Sequence, residues 1–215
     1  NGVATLDVPE DFYYLDSDGA KSVLVDLWGN PPETAVGTMG MLFPSGTTPF
    51  DRESWAVTIE YEEDGYVSDE NAGEIDYSDL LAQMKDDARA ASEARLEQGY
   101  ESMELIGWAA NPYYDQTSHK LHWAKELKFG NQPLHTLNYN IRVLGRKGVL
   151  LLNFIADMDQ KPVIDSQVES VLALAEFNDG YRYDEFNPEI DEVAAYGIGA
   201  LIAGKIAAKT GFLAA

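Results

Sequence analysis

The chain contains no cysteine, and that absence alone excludes disulfides, thiolate zinc sites, iron–sulfur clusters and cysteine nucleophiles. Basic residues are scarce as well: 15 Lys and Arg stand against 37 Asp and Glu, a formal net charge of −22 over 215 residues. A surface this negative repels phosphate backbones, so nucleic acid is a poor partner. Histidine occurs only at His119, His122 and His135. The first two are three apart in a strand-like run and point to opposite faces, which argues against a zinc pair. No cofactor is expected. Apolar mass, by contrast, is ample. With 45% hydrophobic and 11% aromatic residues, Trp28, Trp55, Trp108 and Trp123 among them, the acidity belongs to a folded surface and not to a disordered acidic chain.

Hydrophobic periodicity gives the organisation. Ser17 to Trp28 reads as a short helix stopped by Gly29, Pro31 and Pro32. Val36 to Phe43 and Trp55 to Tyr61 read as strands. Asp76 is placed to cap a long amphipathic helix to about Gln98, with an apolar stripe of Leu80, Leu81, Met84, Ala88, Ala91 and Leu96 and a stop at Gly99. Four strand-like runs follow: Met103 to Trp108, Lys120 to Phe129, Leu134 to Leu144 and Val149 to Ala156. The last two form a hairpin across Gly145-Arg146-Lys147-Gly148. Pro162 opens another helix to Ala175. The pattern predicts an α+β fold, a twisted antiparallel sheet flanked by helices over residues 1–180. Residues 181–215 are expected to be a connector and a membrane-proximal helix, capped by Asn187-Pro188 and running through Ala194, Ile198, Leu201, Ile202 and Ile206.

Three features invite a functional reading. Residues 60 to 79 hold nine acids and no Lys or Arg. Glu62, Glu63, Asp64, Asp69 and Glu70 are the candidate ligands for a divalent cation, although their spacing does not match an EF-hand and a solvated acidic loop before a helix is the reading the pattern favours. Residues 119 to 148 carry the opposite bias. Alternation places Leu121, Trp123, Leu127 and Phe129 on one face, so Lys125 falls on the apolar side and needs a carboxylate. On the next strand Asn138, Asn140 and Arg142 share a polar face, with His122 and Lys128 expected as neighbours. This face is the candidate ligand site, and an ordinary wet face of an antiparallel sheet is the alternative favoured by the pattern. A small-molecule enzyme of hydrolase type would use that face with Glu60 or Glu126 as acid or base. Ser45, in Phe43-Pro44-Ser45-Gly46, does not form a nucleophile elbow.

Near the end of the chain, Gly197, Ala200, Gly204, Ala207 and Gly211 recur three or four apart, a small-residue stripe that permits close approach of another helix. Lys205 and Lys209 interrupt the apolar run before the roughly 20 residues a membrane crossing needs.

Val25 to Pro32 (VDLWGNPP), Ser54 to Glu70, Trp123 to Gly130 (WAKELKFG), His135 to Ala156 and Val193 to Gly211 together resemble a family of bacterial proteins described as uncharacterised and membrane-anchored, a domain of unknown function. The resemblance implies a signal peptide, an extracytoplasmic (periplasmic) domain and a transmembrane segment beginning near the end of this chain. The leader and most of the span are then expected outside it. The element order is also similar to PsbP-like domains, which implies a twisted antiparallel sheet between helices. No catalytic residue comes with either resemblance. The expectation is a non-enzymatic, membrane-tethered binding or scaffolding domain of the cell envelope, with a membrane or envelope protein as partner through the C-terminal helix. The alternatives are the hydrolase-like enzyme and the cation-binding module.

Overall fold

Seven strands pair into one antiparallel sheet, because each strand needs neighbours for its backbone groups and a cover for its apolar side. A computed structural model describes residues 2–51 and 53–204. In chain order the sheet strands are β2 (Phe12–Asp16), β3 (Thr38–Pro44), β4 (Ala56–Glu62), β5 (Met103–Asp115), β6 (Lys120–Phe129), β7 (Thr136–Leu144) and β8 (Val149–Asp157). Their order across the sheet is β2-β3-β4-β8-β7-β6-β5. A second ribbon joins β1 (Ala4–Leu6) to β9 (Ala175–Phe177). The helices are α1 (Ser17–Lys21), continued by a π-helical turn over Ser22–Leu27, then α2 (Tyr77–Glu97), α3 (Lys161–Leu174) and α4 (Ile198–Ala203). The fold is α+β, a large antiparallel sheet flanked by helices.

Local chemistry fixes the longest helix. The Asp76 carboxylate accepts from the Ser78 and Asp79 amides, satisfying two of the donors a helix start leaves unpaired. Gly99, at φ +86°, takes the left-handed conformation that ends it. Met84 and Ala91 are buried, and Leu80, Leu81 and Ala88 pack beside them. Leu96, expected in the same stripe, is 56% exposed because it lies in the last turn, beyond the sheet surface the helix covers. The hairpin between β7 and β8 closes over residues 145–148. A Cβ at Gly148 would lie 2.0 Å from the Glu62 carbonyl oxygen, so glycine is required there for β4 to approach.

The two sheet faces are covered differently. α3 covers one, packing Ile164, Val168 and Val171 against Leu137, Tyr139, Ile141 and Phe154. On the other, α1 covers the β3–β4 end through Ala20, Val23 and Leu24 on Met41 and Phe43. α2 and α4 cover the β5–β7 end, with Met84, Leu201 and Ile202 over Leu105, Trp123 and Leu127.

The C-terminal region corrects the expected helix. Residues 187–197 form turns, and Tyr66 pairs with Val193 in an isolated bridge, so the helix starts only after Gly197 and runs six residues. Gly197 precedes its first residue, and Gly204 ends it at φ +72°. Ile198, Leu201 and Ile202 are buried against the sheet body. Ile206, Ala207, Lys205, Lys209 and Gly211 lie outside the described residues, and among those described no helix is long and apolar enough to cross a membrane.

Candidate functional site: a charged cavity beneath helices α2 and α4

Strand register decides which side chains meet. β6 pairs with β7 so that Trp123 opposes Asn140, Lys125 opposes Asn138 and Leu121 opposes Arg142. β7 pairs with β8 so that Asn140 opposes Asn153 and Arg142 opposes Leu151, and β8 pairs with β4 so that Asn153 opposes Thr58 and Leu151 opposes Glu60. Directly opposed residues share a face. The apolar side of β6 therefore meets the polar side of β7, and both lie under α2 and α4. The expected wet face is not wet: Asn138 and Asn140 are each 4% exposed and Arg142 7%.

The same register corrects the expected neighbours. His122 and Lys128 differ in parity from Trp123 and Lys125, so neither lines this face. His122 lies on the α3 side, its Nδ1 2.9 Å from the Tyr139 hydroxyl and its ring against Tyr113. Lys128 opposes Glu104 of β5. Glu126 meets His135, with Oε1 2.5 Å from Nδ1, so Glu60 and not Glu126 is the carboxylate near the cluster.

Between the sheet and its two covering helices is a cavity of about 120 Å³. Its floor is formed by Lys125, Asn138, Asn140, Arg142 and Asn153, with Glu60 and Glu62 to one side, and its roof by Met84, Ala88 and Ala91 of α2 and residues 201–204. A hydrogen-bond ladder orders the floor. Asn140 Nδ2 donates to the side-chain and backbone oxygens of Asn138, both at 2.9 Å. Arg142 Nη1 donates to Asn153 Oδ1 at 2.8 Å and to the Ile141 carbonyl at 2.9 Å, and Asn153 Nδ2 donates to Thr58 at 3.4 Å. The guanidinium also lies 5.1 Å from the centre of the Trp123 ring.

Several polar atoms on this lining have no hydrogen-bond partner among the described residues: Arg142 Nε, Trp123 Nε1 and Glu62 Oε2 are buried without one. Lys125 finds no carboxylate: it makes no ion pair among the described residues. Burial and the neighbouring Arg142 charge push its ammonium down to about 8. Burial also lowers Arg142, to about 10, against the opposing pull of Glu60 and Glu62. Glu62 is pushed up to about 7 by burial, with Arg142 opposing and Asp64 and Glu60 adding to the rise. Glu60 is raised by burial, against Arg142 and a 3.5 Å hydrogen bond donated by Thr38. Buried charges without close partners are costly, and cavities that keep them are where sites are found.

An open groove adjoins the cavity. It runs between the ends of the α1 region and α2, past Trp28, Arg95, Tyr100 and Phe129, with a volume of about 650 Å³. Leu127 and Asn138 line both spaces.

The acidic run does not converge. Glu62 turns into the cavity, Glu63 and Glu70 are exposed, Asp64 accepts from the Tyr196 hydroxyl at 3.0 Å, and Asp69 accepts from the Tyr114 hydroxyl at 2.6 Å. Among the described residues no group of three or more His, Asp or Glu side chains could hold a metal ion. Ala200 and Gly204 sit on and beyond α4, and Gly197 is exposed. Sequence reasoning missed Trp123, Asn153 and Glu62 as companions of Arg142. The alternation of β4 and β8 was visible, but the register that joins them to β7 was not.

Fold and site together define an α+β domain with a charged internal cavity on one sheet face. The chain belongs to the family described as "Protein of unknown function (DUF2167)", whose model matches residues 1–215. No curated protein matches it. Among solved structures it is similar to the solution structure of cyanobacterial PsbP (CyanoP) from Synechocystis sp. PCC 6803. That chain is 14% identical, with 82% of this chain and 88% of that one covered at a TM-score of 0.42, and a likeness of that degree carries no argument about function.

Proposed function

We propose that this protein is a non-enzymatic binding module whose cavity beneath α2 and α4 takes a small polar molecule from the groove beside it. The observation that supports it most is the set of unpartnered polar atoms on the lining, Arg142 Nε, Trp123 Nε1 and Glu62 Oε2, next to a lysine without an ion pair. A purely structural core places partners on such groups. Size agrees: an engineered cavity of about 150 Å³ holds benzene, so this one suits a compact molecule and not a polymer. Thermal-shift screening of a library of small polar molecules tests the reading. Hits should stabilise the wild type and be lost in Ala91→Leu, which fills the cavity from α2. A library without one hit of that kind would contradict it.

The module is further proposed to work tethered to a membrane on its extracytoplasmic side and to meet a membrane or envelope protein there. The support is the family resemblance and the small-residue, apolar sequence from Gly197 onward. Fractionation and crosslinking of the full-length protein test it; recovery in the soluble fraction with no specific partner would overturn it.

One observation favours a second reading, a hydrolase-like enzyme with Glu60 as acid or base: a buried carboxylate with raised proton affinity faces the cavity. Turnover of a bound ligand, lost in Glu60→Gln with binding kept, would establish it. Recovery of the ligand unchanged would exclude it.

A further inference from the structure

The charged groups that the strands bring to the cavity floor differ in sign from one side to the other, and Asp87 of α2 adds a third carboxylate to the lining. On the β6–β7 side stand the donors: Lys125, Arg142 Nε and Trp123 Nε1. On the β4 side stand the acceptors, Glu60 and Glu62, the latter with Oε2 unpartnered. β8 lies between β7 and β4, so their backbones are two strand spacings, roughly 10 Å, apart, and long side chains reach into the space between. A plain anion would satisfy only the first side and a plain cation only the second.

The charge of the whole molecule narrows the choice. At −22, the surface repels an approaching anion over the Debye length, whereas a molecule with no net charge escapes that penalty. A plain amine would be attracted to the surface and to Glu60, Glu62 and Asp87, but it would leave Lys125, Arg142 Nε and Trp123 Nε1 without an acceptor.

Building on the binding reading above, we infer that the cavity ligand is a small zwitterion of the amino-acid type, its carboxylate received by Lys125, Arg142 and Trp123 and its ammonium by Glu60 and Glu62. Planar carboxylate recognition suits the guanidinium fork, and the indole N–H supplies a donor with no competing acceptor. The ladder through Asn138, Asn140 and Asn153 holds the floor that carries these groups, so it fixes their geometry without contacting the ligand's charges. With about 120 Å³ available, roughly five to seven non-hydrogen atoms fit.

Isothermal titration calorimetry tests the assignment with glycine, β-alanine and γ-aminobutyrate against their halves, acetate, propionate, methylamine and ethylamine. At least one zwitterion should bind saturably and at least about tenfold more tightly than either of its halves, since two desolvated charge pairs are then made at once. Lys125→Met and Glu62→Gln should each weaken that zwitterion about tenfold or more, while Lys125→Met does not weaken the binding of the amine halves. Ala91→Leu should abolish binding with the fold intact by circular dichroism. A carboxylate that binds as tightly as the matching zwitterion would overturn the inference and make this an anion site. If no zwitterion binds but the library screen finds another cavity ligand, the inference fails and the binding reading stands. If neither does, both fall and the cavity is a hydrated polar core.

Discussion

Arg142 and Trp123 lie on adjacent strands, with the guanidinium carbon 5.1 Å from the centre of the indole ring and the Nη1 group bonded to Asn153 on the far side. The arginine thus ties β6, β7 and β8 together at the floor of the cavity. Its replacement should be felt as stability before anything else. Arg142→Lys keeps the charge but loses the planar fork and the ring contact, and is expected to cost on the order of 1–3 kcal/mol in urea denaturation. Arg142→Met should cost more, because it leaves Glu60 and Glu62 without their nearby cation. An unchanged midpoint in both variants would show that the floor does not depend on this residue.

Lys125 behaves in the opposite sense. Its proton affinity is lower in the folded protein, about 8, than the ordinary 10.5, so the unfolded chain holds more protons between those values. Stability of the wild type should therefore rise as pH climbs from about 8 to about 10.5. Lys125→Met removes the charge, keeps most of the apolar stem and should be more stable than the wild type at pH 7, by on the order of 1–3 kcal/mol. A functional residue that costs stability is the expected signature of a site. Urea midpoints across this pH range, compared for the two proteins, check it.

Glu62 gives a second pH window. Its folded-state value, about 7, lies above the ordinary 4.5, so its contribution is fully present below about 4.5 and is lost as pH rises through about 7. Burial sets this first, Arg142 on β7 opposes it, and Asp64 and Glu60 on its own turn and strand add to the rise. Asp87 of α2 and Lys125 of β6 line the same cavity, and Tyr196 is coupled to Glu62 as well. Thermal denaturation between pH 4.5 and 7 should show a falling stability that Glu62→Gln flattens. Equal slopes in the two proteins would place the titration elsewhere.

Gly148 makes the fold itself testable. A methyl group there would meet the Glu62 carbonyl oxygen at 2.0 Å, and backbone cannot yield as a side chain can. Gly148→Ala should destabilise by roughly 2–4 kcal/mol and disturb the β4–β8 pairing that aims Glu62 into the cavity. Gly73→Ala, where a Cβ meets nothing within 4 Å, is the matched control.

How much of this was legible beforehand depends on the range of the interaction. Asp76 and Gly99 announce the ends of α2 because capping is local, and the turn at 145–148 announces the β7–β8 hairpin for the same reason. The polar side of β7 was legible too, since period-two alternation needs no partner. What sits opposite it was not. Trp123 rather than His122 faces Asn140 because of a cross-strand register that alternation alone leaves free. The burial of that side was equally hidden, because α2 and α4 reach it only in the folded chain. Asn187-Pro188 resembled a helix start, yet the pairing of Tyr66 with Val193 holds that stretch in turns and delays the helix to Ile198.

The central claim is that the cavity takes a small polar molecule, and the Trp123 indole N–H is the most direct reporter of it: buried, without a partner among the described residues, and on the cavity wall. The measurement is a ¹⁵N–¹H spectrum of tryptophan-labelled protein titrated with small polar molecules, the Trp123 signal assigned by its loss in Trp123→Phe. The account predicts a saturable shift of that signal, with Trp55, which packs between Phe12 and Phe154 outside the cavity, unmoved. A Trp123 resonance that stays in place throughout would contradict it.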